Sequence, residues 1–252
     1  MSSNFAKLAA VFAILVLGAG IAFNQFMGAS AEGFTKEEIQ DIVKETINEN
    51  PSLIVEAFTK YRQEQQEAQQ REQREMFLQN KDKVLTSDYS PTVGSDADDA
   101  VVVVEFFDYN CGYCKRAIDA VNTVIEEDNN VRFIFKELPI LSPSSTMAAK
   151  YALAAQEQGK YLEYHTALMK HQGQKDEQVL ESLAKEVGLN VEKLKKDADS
   201  SKVQKELEEN KQIAGQIGVR GTPAFIIGDS ITPGFIPLDQ MQSLIKQAKE
   251  ES

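Results

Sequence analysis

The chain has no tryptophan, only two histidines and only two cysteines in 252 residues. Two cysteines are too few for a disulfide-stapled scaffold. Basic residues are also in deficit, 27 against 39 acidic, and the net charge of −12 argues against nucleic acid as a partner. Low-complexity disorder is excluded by a composition of 42% hydrophobic and 26% charged residues, which suits a globular chain with a substantial core. Long apolar runs are scarce as well. The one at Leu8–Phe23 falls short of the roughly twenty residues a membrane-spanning helix wants. Lys7 precedes it and Ala29-Ser30-Ala31 supplies a small-x-small site, so residues 1–31 read as a secretory signal peptide cleaved after Ala31, with an uncleaved anchor as the alternative. Both place the rest of the chain outside the cytoplasm, where disulfides form and persist.

The two cysteines are not scattered. Val101 to Phe107 is a β-branched and aromatic run that reads as a buried strand, and it breaks at Asp108-Tyr109-Asn110. Cys111-Gly112-Tyr113-Cys114 follows, and then Ala117, Ile118, Val121, Val124 and Ile125 recur at helical spacing. Strand, short loop, Cys-x-x-Cys and helix place Cys111 at a helix N-terminus, where free N–H groups and the helix dipole favour a thiolate. Cys114, one turn further on, can reach back to it, which is the arrangement that thiol–disulfide exchange needs. Two plainer readings compete. A structural disulfide of this spacing would close a loop too short to constrain the unfolded chain. Half of a zinc site would lack partners, because zinc wants about four ligands and His165 and His171 lie outside the motif. Both histidines read as surface or packing residues.

Upstream, Thr35-Lys36-Glu37-Glu38 forms a capping box, and Ile39, Ile42, Val43 and Ile47 share a helical face. Asn50-Pro51 divides that helix from a second one carrying Leu53, Ile54, Ala57, Phe58 and Tyr61. Two such short helices cannot fold alone and must dock on the main domain or on copies of themselves. Arg62 to Glu75 has high helix propensity and no apolar stripe, so it reads as a solvated helical bridge with Glu67–Arg71 as an i,i+4 pair; a disordered linker is the alternative. Met76, Phe77, Val84 and Leu85 resume contact with a core, and Pro91 to Asp99 reads as an acidic, turn-rich boundary before a main domain beginning near Ala100.

After the cysteine-bearing helix, Val131–Lys136 is a second strand, giving a parallel βαβ unit. Helical segments then fill Pro143 to Ile217, punctuated by Gly159, Gly173 and Gly188, the last a left-handed cap. Strands return at Ala224–Ile227 and near Ile231, and a final helix spans Leu238–Lys249. Gly221-Thr222-Pro223 directly precedes the Ala224 strand, where a proline fixes the approach and can adopt a cis peptide.

Taken together, Cys111-Gly112-Tyr113-Cys114 and Gly221-Thr222-Pro223 resemble the thioredoxin superfamily, and specifically its DsbA-like branch. The resemblance covers about residues 92–252. It implies an α/β thioredoxin-like fold with an inserted helical domain at about 143–217, so that residues 91–252 form the catalytic domain and 32–90 an N-terminal helical arm and linker. It further implies that Cys111 is the attacking thiolate, Cys114 the resolving thiol and Pro223 a cis-proline beside the substrate groove. Thr222 would offer backbone hydrogen bonds to an extended client, with Gly112, Tyr113 and Gly221 lining the client site. Glu105 matches the acid buried beneath the active site in this family and could take the proton of Cys114; Lys136 is its candidate partner. The Gly-Tyr dipeptide and Thr222 are the residues found in DsbC-type isomerases, and the 35–80 region is similar to the oligomerisation arm of the ScsC isomerases. The implied protein is a periplasmic disulfide isomerase or reductase without cofactor or metal. It would act on client proteins with thiols or disulfides, exchange electrons with a membrane redox partner, and form a homo-dimer or homo-trimer. A DsbA-like dithiol oxidase is the rival within the same chemistry, and a copper- or heme-handling thiol protein the rival outside it.

Overall fold

A computed structural model describes residues 35–86 and 89–251; the proposed signal segment lies outside these. The described chain divides into two compact units, meeting in sequence at Gln65/Gln66.

In the first unit, helix α1 (Lys36–Glu49) starts at the expected capping box: Glu38 N–H donates to Thr35 Oγ1 at 3.2 Å, and Thr35 N–H to Glu38 Oε2 at 2.8 Å. Helix α2 runs without interruption from Ser52 to Leu85. Ile39, Ile42, Val43, Ile47, Leu53, Ile54, Phe58 and Tyr61 are all between 37% and 59% exposed. The apolar stripe is therefore formed but uncovered in the single chain.

The second unit is built on a five-stranded sheet ordered β1-β3-β2-β4-β5, with β1 at Thr92–Gly94, β2 at Val101–Phe107, β3 at Val131–Glu137, β4 at Ala224–Ile227 and β5 at Ser230–Pro233. β2 and β3 are parallel and joined through helix α3 (Gly112–Glu127), while the other pairings are antiparallel. Helices α4 (Pro143–Gln156), α5 (Tyr161–Lys170), α6 (Glu177–Glu186), α7 (Val191–Ala198) and α8 (Ser201–Gln216) make the expected insertion, and α9 (Leu238–Glu251) closes the chain. Gly188 ends α6 at φ +79°, the left-handed cap read from the sequence.

Alternation along β2 sorts its side chains onto two faces. Val101, Val103 and Phe107 join Val131, Phe133 and Phe135 in the larger core with α3, α9 and the insertion. Val104, Phe106 and Ile134 face the other way, against Phe77 and Val84 of α2 and Ala214 and Ile217 at the end of α8.

Three expectations need correction. The boundary segment at Pro91–Asp99 contains a strand, β1, which pairs with β3 from Thr92↔Ile134 to Gly94↔Arg132. The polar stretch 62–75 is helical but is not solvated throughout: Gln73 Nε2 donates to the Gly218 carbonyl at 3.2 Å, and Arg74 lies 3.7 Å from Asp229. Lys136 does not partner Glu105. In the parallel register Glu105 pairs with Phe135 and Lys136 with Phe106, so alternation puts the two side chains on opposite faces. Lys136 is buried beside a cleft of about 580 Å³ with Glu206 and Glu209; burial lowers its pKa and those two carboxylates act against the fall.

Candidate active site

The loop between β2 and α3 is held by its own side chains. Asp108, buried at the strand end, accepts four hydrogen bonds. Asn110 N–H and Ser145 Oγ–H reach Oδ1, each at 2.7 Å, and Ile140 N–H and Leu141 N–H reach Oδ2 at 2.9 and 3.0 Å. Asn110 in turn donates from Nδ2 to Ser142, Ser144 and Ser145 at 2.8–2.9 Å. Lys175, fully buried on the approach to α6, donates from Nζ to the Tyr109 carbonyl at 2.9 Å and to Asn110 Oδ1 at 3.4 Å. Burial, helped by the neighbouring Lys115 ammonium, pulls the Lys175 pKa down to about 8.

With the loop pinned, Cys111 falls at the N-cap of α3. Its N–H bonds the Asp108 carbonyl at 3.0 Å, and its carbonyl accepts from Lys115 N–H at 3.1 Å. Neither cysteine is in a disulfide. Cys111 retains 6% of its accessible surface and Cys114 only 1%. The Cys111 Sγ–H donates to the Thr222 carbonyl at 3.1 Å, so the two stretches singled out in the sequence meet in space. The Thr222–Pro223 peptide is cis, as expected, and Pro223 is buried where Gly221 is exposed. Gly112 and Tyr113 are exposed beside the sulfurs, and the Arg116 guanidinium stacks over the Tyr113 ring at 4.3 Å and faces Phe235 at 5.3 Å.

Glu105 points from β2 toward the α3 side, 2% exposed. Burial alone pushes its carboxyl pKa up to about 8. Burial also drives the Cys114 thiol well up, and the Glu105 charge adds to that rise. A proton that leaves Cys114 and one that arrives at Glu105 thus act on each other.

Sequence reasoning missed a second buried cluster. Glu137 Oε1 accepts from Tyr109 Oη–H at 2.8 Å and from Tyr161 Oη–H at 3.2 Å, and Tyr109 Oη lies 3.0 Å from His165 Nδ1. Burial holds the Glu137 carboxyl well above the usual carboxylate range, and it pushes His165 down to about 3, so the imidazole is neutral near pH 7. His165 is thus a packing residue, ringed by Phe107, Tyr109, Phe135 and Tyr161. The sequence marked Asp108 only as the start of the break after the strand; Lys175 and Glu137 carry no local signal, because the insertion and β3 bring them in from far along the chain.

The chain matches the family described as DSBA-like thioredoxin domain over residues 102–246 and the copper resistance protein ScsC N-terminal domain over residues 36–68. A solved thioredoxin-like oxidoreductase from Silicibacter pomeroyi DSS-3 is 38% identical with a TM-score of 0.65, the match covering 69% of this chain and 99% of that one. A linker-deletion mutant of Proteus mirabilis ScsC is 26% identical with a TM-score of 0.66, covering 88% and 100%. Among curated proteins, the Na(+)/H(+) antiporter NhaA 1 of Salinispora arenicola is 27% identical over 150 residues, 59% of this chain, and the chain spans 23% of that protein's length.

Proposed function

The chain belongs to the family of DsbA-like thioredoxin domains, thiol–disulfide oxidoreductases, and from that premise we propose that it rearranges disulfides in client proteins, with Cys111 as the attacking sulfur. The observation that carries this reading is the contact of Cys111 Sγ with the Thr222 carbonyl while Cys114 lies buried on the Glu105 side. Cys111 is the more exposed sulfur and sits at a helix N-terminus; Cys114 and Glu105 are set behind it.

In the reaction, the Cys111 thiolate attacks one sulfur of a client disulfide. The client S–S bond breaks, a client thiolate leaves, and a mixed disulfide forms. An extended client segment pairs with the Thr222 backbone beside Pro223, and Gly112, Tyr113 and Gly221 border it. Two exits follow. The freed client thiolate can attack another client disulfide, and the last one returns to the mixed disulfide and releases Cys111, an isomerisation with no net electron transfer. Alternatively Cys114 attacks the Cys111 sulfur, its proton passes to the Glu105 carboxylate, and the client leaves reduced while Cys111 and Cys114 become a disulfide. A membrane-bound dithiol donor then returns two electrons to the pair.

Isomerisation is favoured over simple oxidation by the N-terminal unit. Its ScsC-type match and its uncovered apolar stripe suit self-association into a dimer or trimer. Several Cys111 sites would then meet one misfolded client at high effective concentration. The periplasm, reached through the proposed signal segment, supplies the oxidising compartment. The deciding experiment compares reactivation of a scrambled multi-disulfide protein with oxidation of a reduced one. Reactivation by the reduced protein supports the isomerase. Efficient oxidation without reactivation replaces it with a dithiol oxidase, and failure in both assays removes thiol exchange altogether.

A further inference from the structure

We propose that Gln73 is a positioning residue for the thiol site: from helix α2 it clasps the loop that presents the Thr222 carbonyl to Cys111. The inference rests on the thiol-exchange reading above and extends the working site to a helix outside the sheet and the insertion.

The loop in question leaves α8 at Gly218 and enters β4 at Ala224. Backbone hydrogen bonds tie it near its two ends, Val219 N–H to the Ala214 carbonyl at 2.8 Å and Gly234 N–H to the Pro223 carbonyl at 2.8 Å. Between them the chain must hold Thr222 at hydrogen-bond distance from a sulfur, and α2 supports it from behind. Gln73 Nε2 donates to the Gly218 carbonyl at 3.2 Å. The backbone there, at φ +72°, favours glycine, and α2 comes near it: a Cβ on Gly218 would meet Met76 Cε at 3.3 Å and lie in ordinary contact with Gln73 Cγ at 3.5 Å. Gln73 and Gly218 line one small cavity of about 160 Å³ together with Thr222, Pro223, Ile231 and Pro233.

The support itself is fixed. Phe77 and Val84, both fully buried, pack this part of α2 against Val219, Ala224 and Ile226. Lys81 bonds Asp229 at 2.7 Å in the turn after β4. Gln73 therefore hangs from a helix anchored on β4 and reaches the loop before it, as a group that orients a reactive contact must.

The test uses the full chain, a fluorogenic disulfide peptide and excess dithiothreitol to return two electrons to the cysteine pair in each turnover, with KM for the peptide and kcat measured separately. Gln73→Leu keeps the bulk and loses the donor. Its KM should rise about three- to tenfold, the range one hydrogen bond spans, with kcat within about twofold. Gln73→Lys restores a donor and should return KM toward the wild-type value. Gln73→Asn, one methylene too short, should fall between them and keeps the test decisive were the Leu variant to fold poorly. A generally loosened fold would instead lower kcat by shrinking the active fraction. An unchanged KM in Gln73→Leu, a fall in kcat alone, or no recovery in Gln73→Lys overturns the clasp while leaving thiol exchange standing; a wild-type protein that does not turn the peptide over overturns both.

Discussion

Replacing Glu105 by Gln should make the reduced protein more stable at neutral and alkaline pH while slowing its chemistry. The carboxyl is buried and its pKa stands at about 8 in the fold, against an ordinary value of 4.5. Between those two values the unfolded chain has released the proton and the folded chain still holds it. Stability from this group is therefore complete below about pH 4.5 and declines as pH rises through the window, levelling above about pH 8. The loss amounts to about 2–3 kcal/mol between pH 5 and 7 and about 4 kcal/mol between pH 5 and 8.5. Glutamine, neutral throughout and of the same shape, removes the slope. His165, pushed down to about 3 by burial, gives an acid-side loss of the opposite sign, but it is common to both proteins and cancels in the difference. Urea unfolding of the two reduced proteins at pH 5, 7 and 8.5 reads the effect directly. Chemistry moves the other way. At pH 7 about one Glu105 in ten is ionised and able to accept the Cys114 proton. Release of a trapped client should accelerate about tenfold per pH unit up to about 8 in the wild type. In Glu105→Gln it should be slower by about a hundredfold at pH 7 and should keep rising past pH 8, because the buried Cys114 thiol must then give its proton to solvent. Equal stability slopes in the two proteins would refute the buried neutral acid, and a variant whose rate matches the wild type and levels near pH 8 as it does would refute the role of Glu105 as proton acceptor.

Alkylation of the native reduced protein, followed by mass spectrometry, should mark Cys111 before Cys114, and Cys114→Ala should accumulate client mixed disulfides on non-reducing gels; preferential labelling of Cys114 reverses the assignment. Asp108→Ala strands donors from Asn110, Ser145, Ile140 and Leu141 and should cost about 3–5 kcal/mol in urea unfolding; a cost under about 1 kcal/mol would show that the loop is held elsewhere. Deleting residues 32–65 should convert an oligomer to a monomer by light scattering and leave the thermal transition of the remaining chain unchanged. Deleting through residue 80 also removes Phe77 from beneath the sheet and should lower stability by about 3–5 kcal/mol; equal stability of the two truncations would contradict the packing of α2.

What the sequence showed, and what it hid, follows from the range of the interactions concerned. β2 and α3 declare themselves because Val101–Phe107 and the Ala117–Ile125 periodicity are local signals, and the Cys-x-x-Cys spacing sits at their junction. β1 did not. Thr92–Gly94 is three residues between Pro91 and Ser95, with no strand signal of its own, and it exists because β3 offers an edge. The break at Asp108 was visible, but three of the four donors to its carboxylate come from residues 140–145, which only the folded insertion brings near.

The misplacement of Lys136 teaches the most about the site. Two complementary charges on neighbouring strands invite a pairing, yet strand parity forbids it: with Glu105 opposite Phe135, the next residue along β3 turns to the other face. Register is a tertiary property, and one residue of slip would have exchanged the two faces. The separation has a chemical consequence. A lysine beside Glu105 would hold the carboxylate ionised, whereas an apolar face keeps it protonated up to about pH 8, poised to trade protons with a thiol whose own pKa it raises. The same parity that turns Phe106 and Lys136 away leaves Glu105 on the face where Cys114 is packed, among apolar neighbours and without a basic partner across the strand.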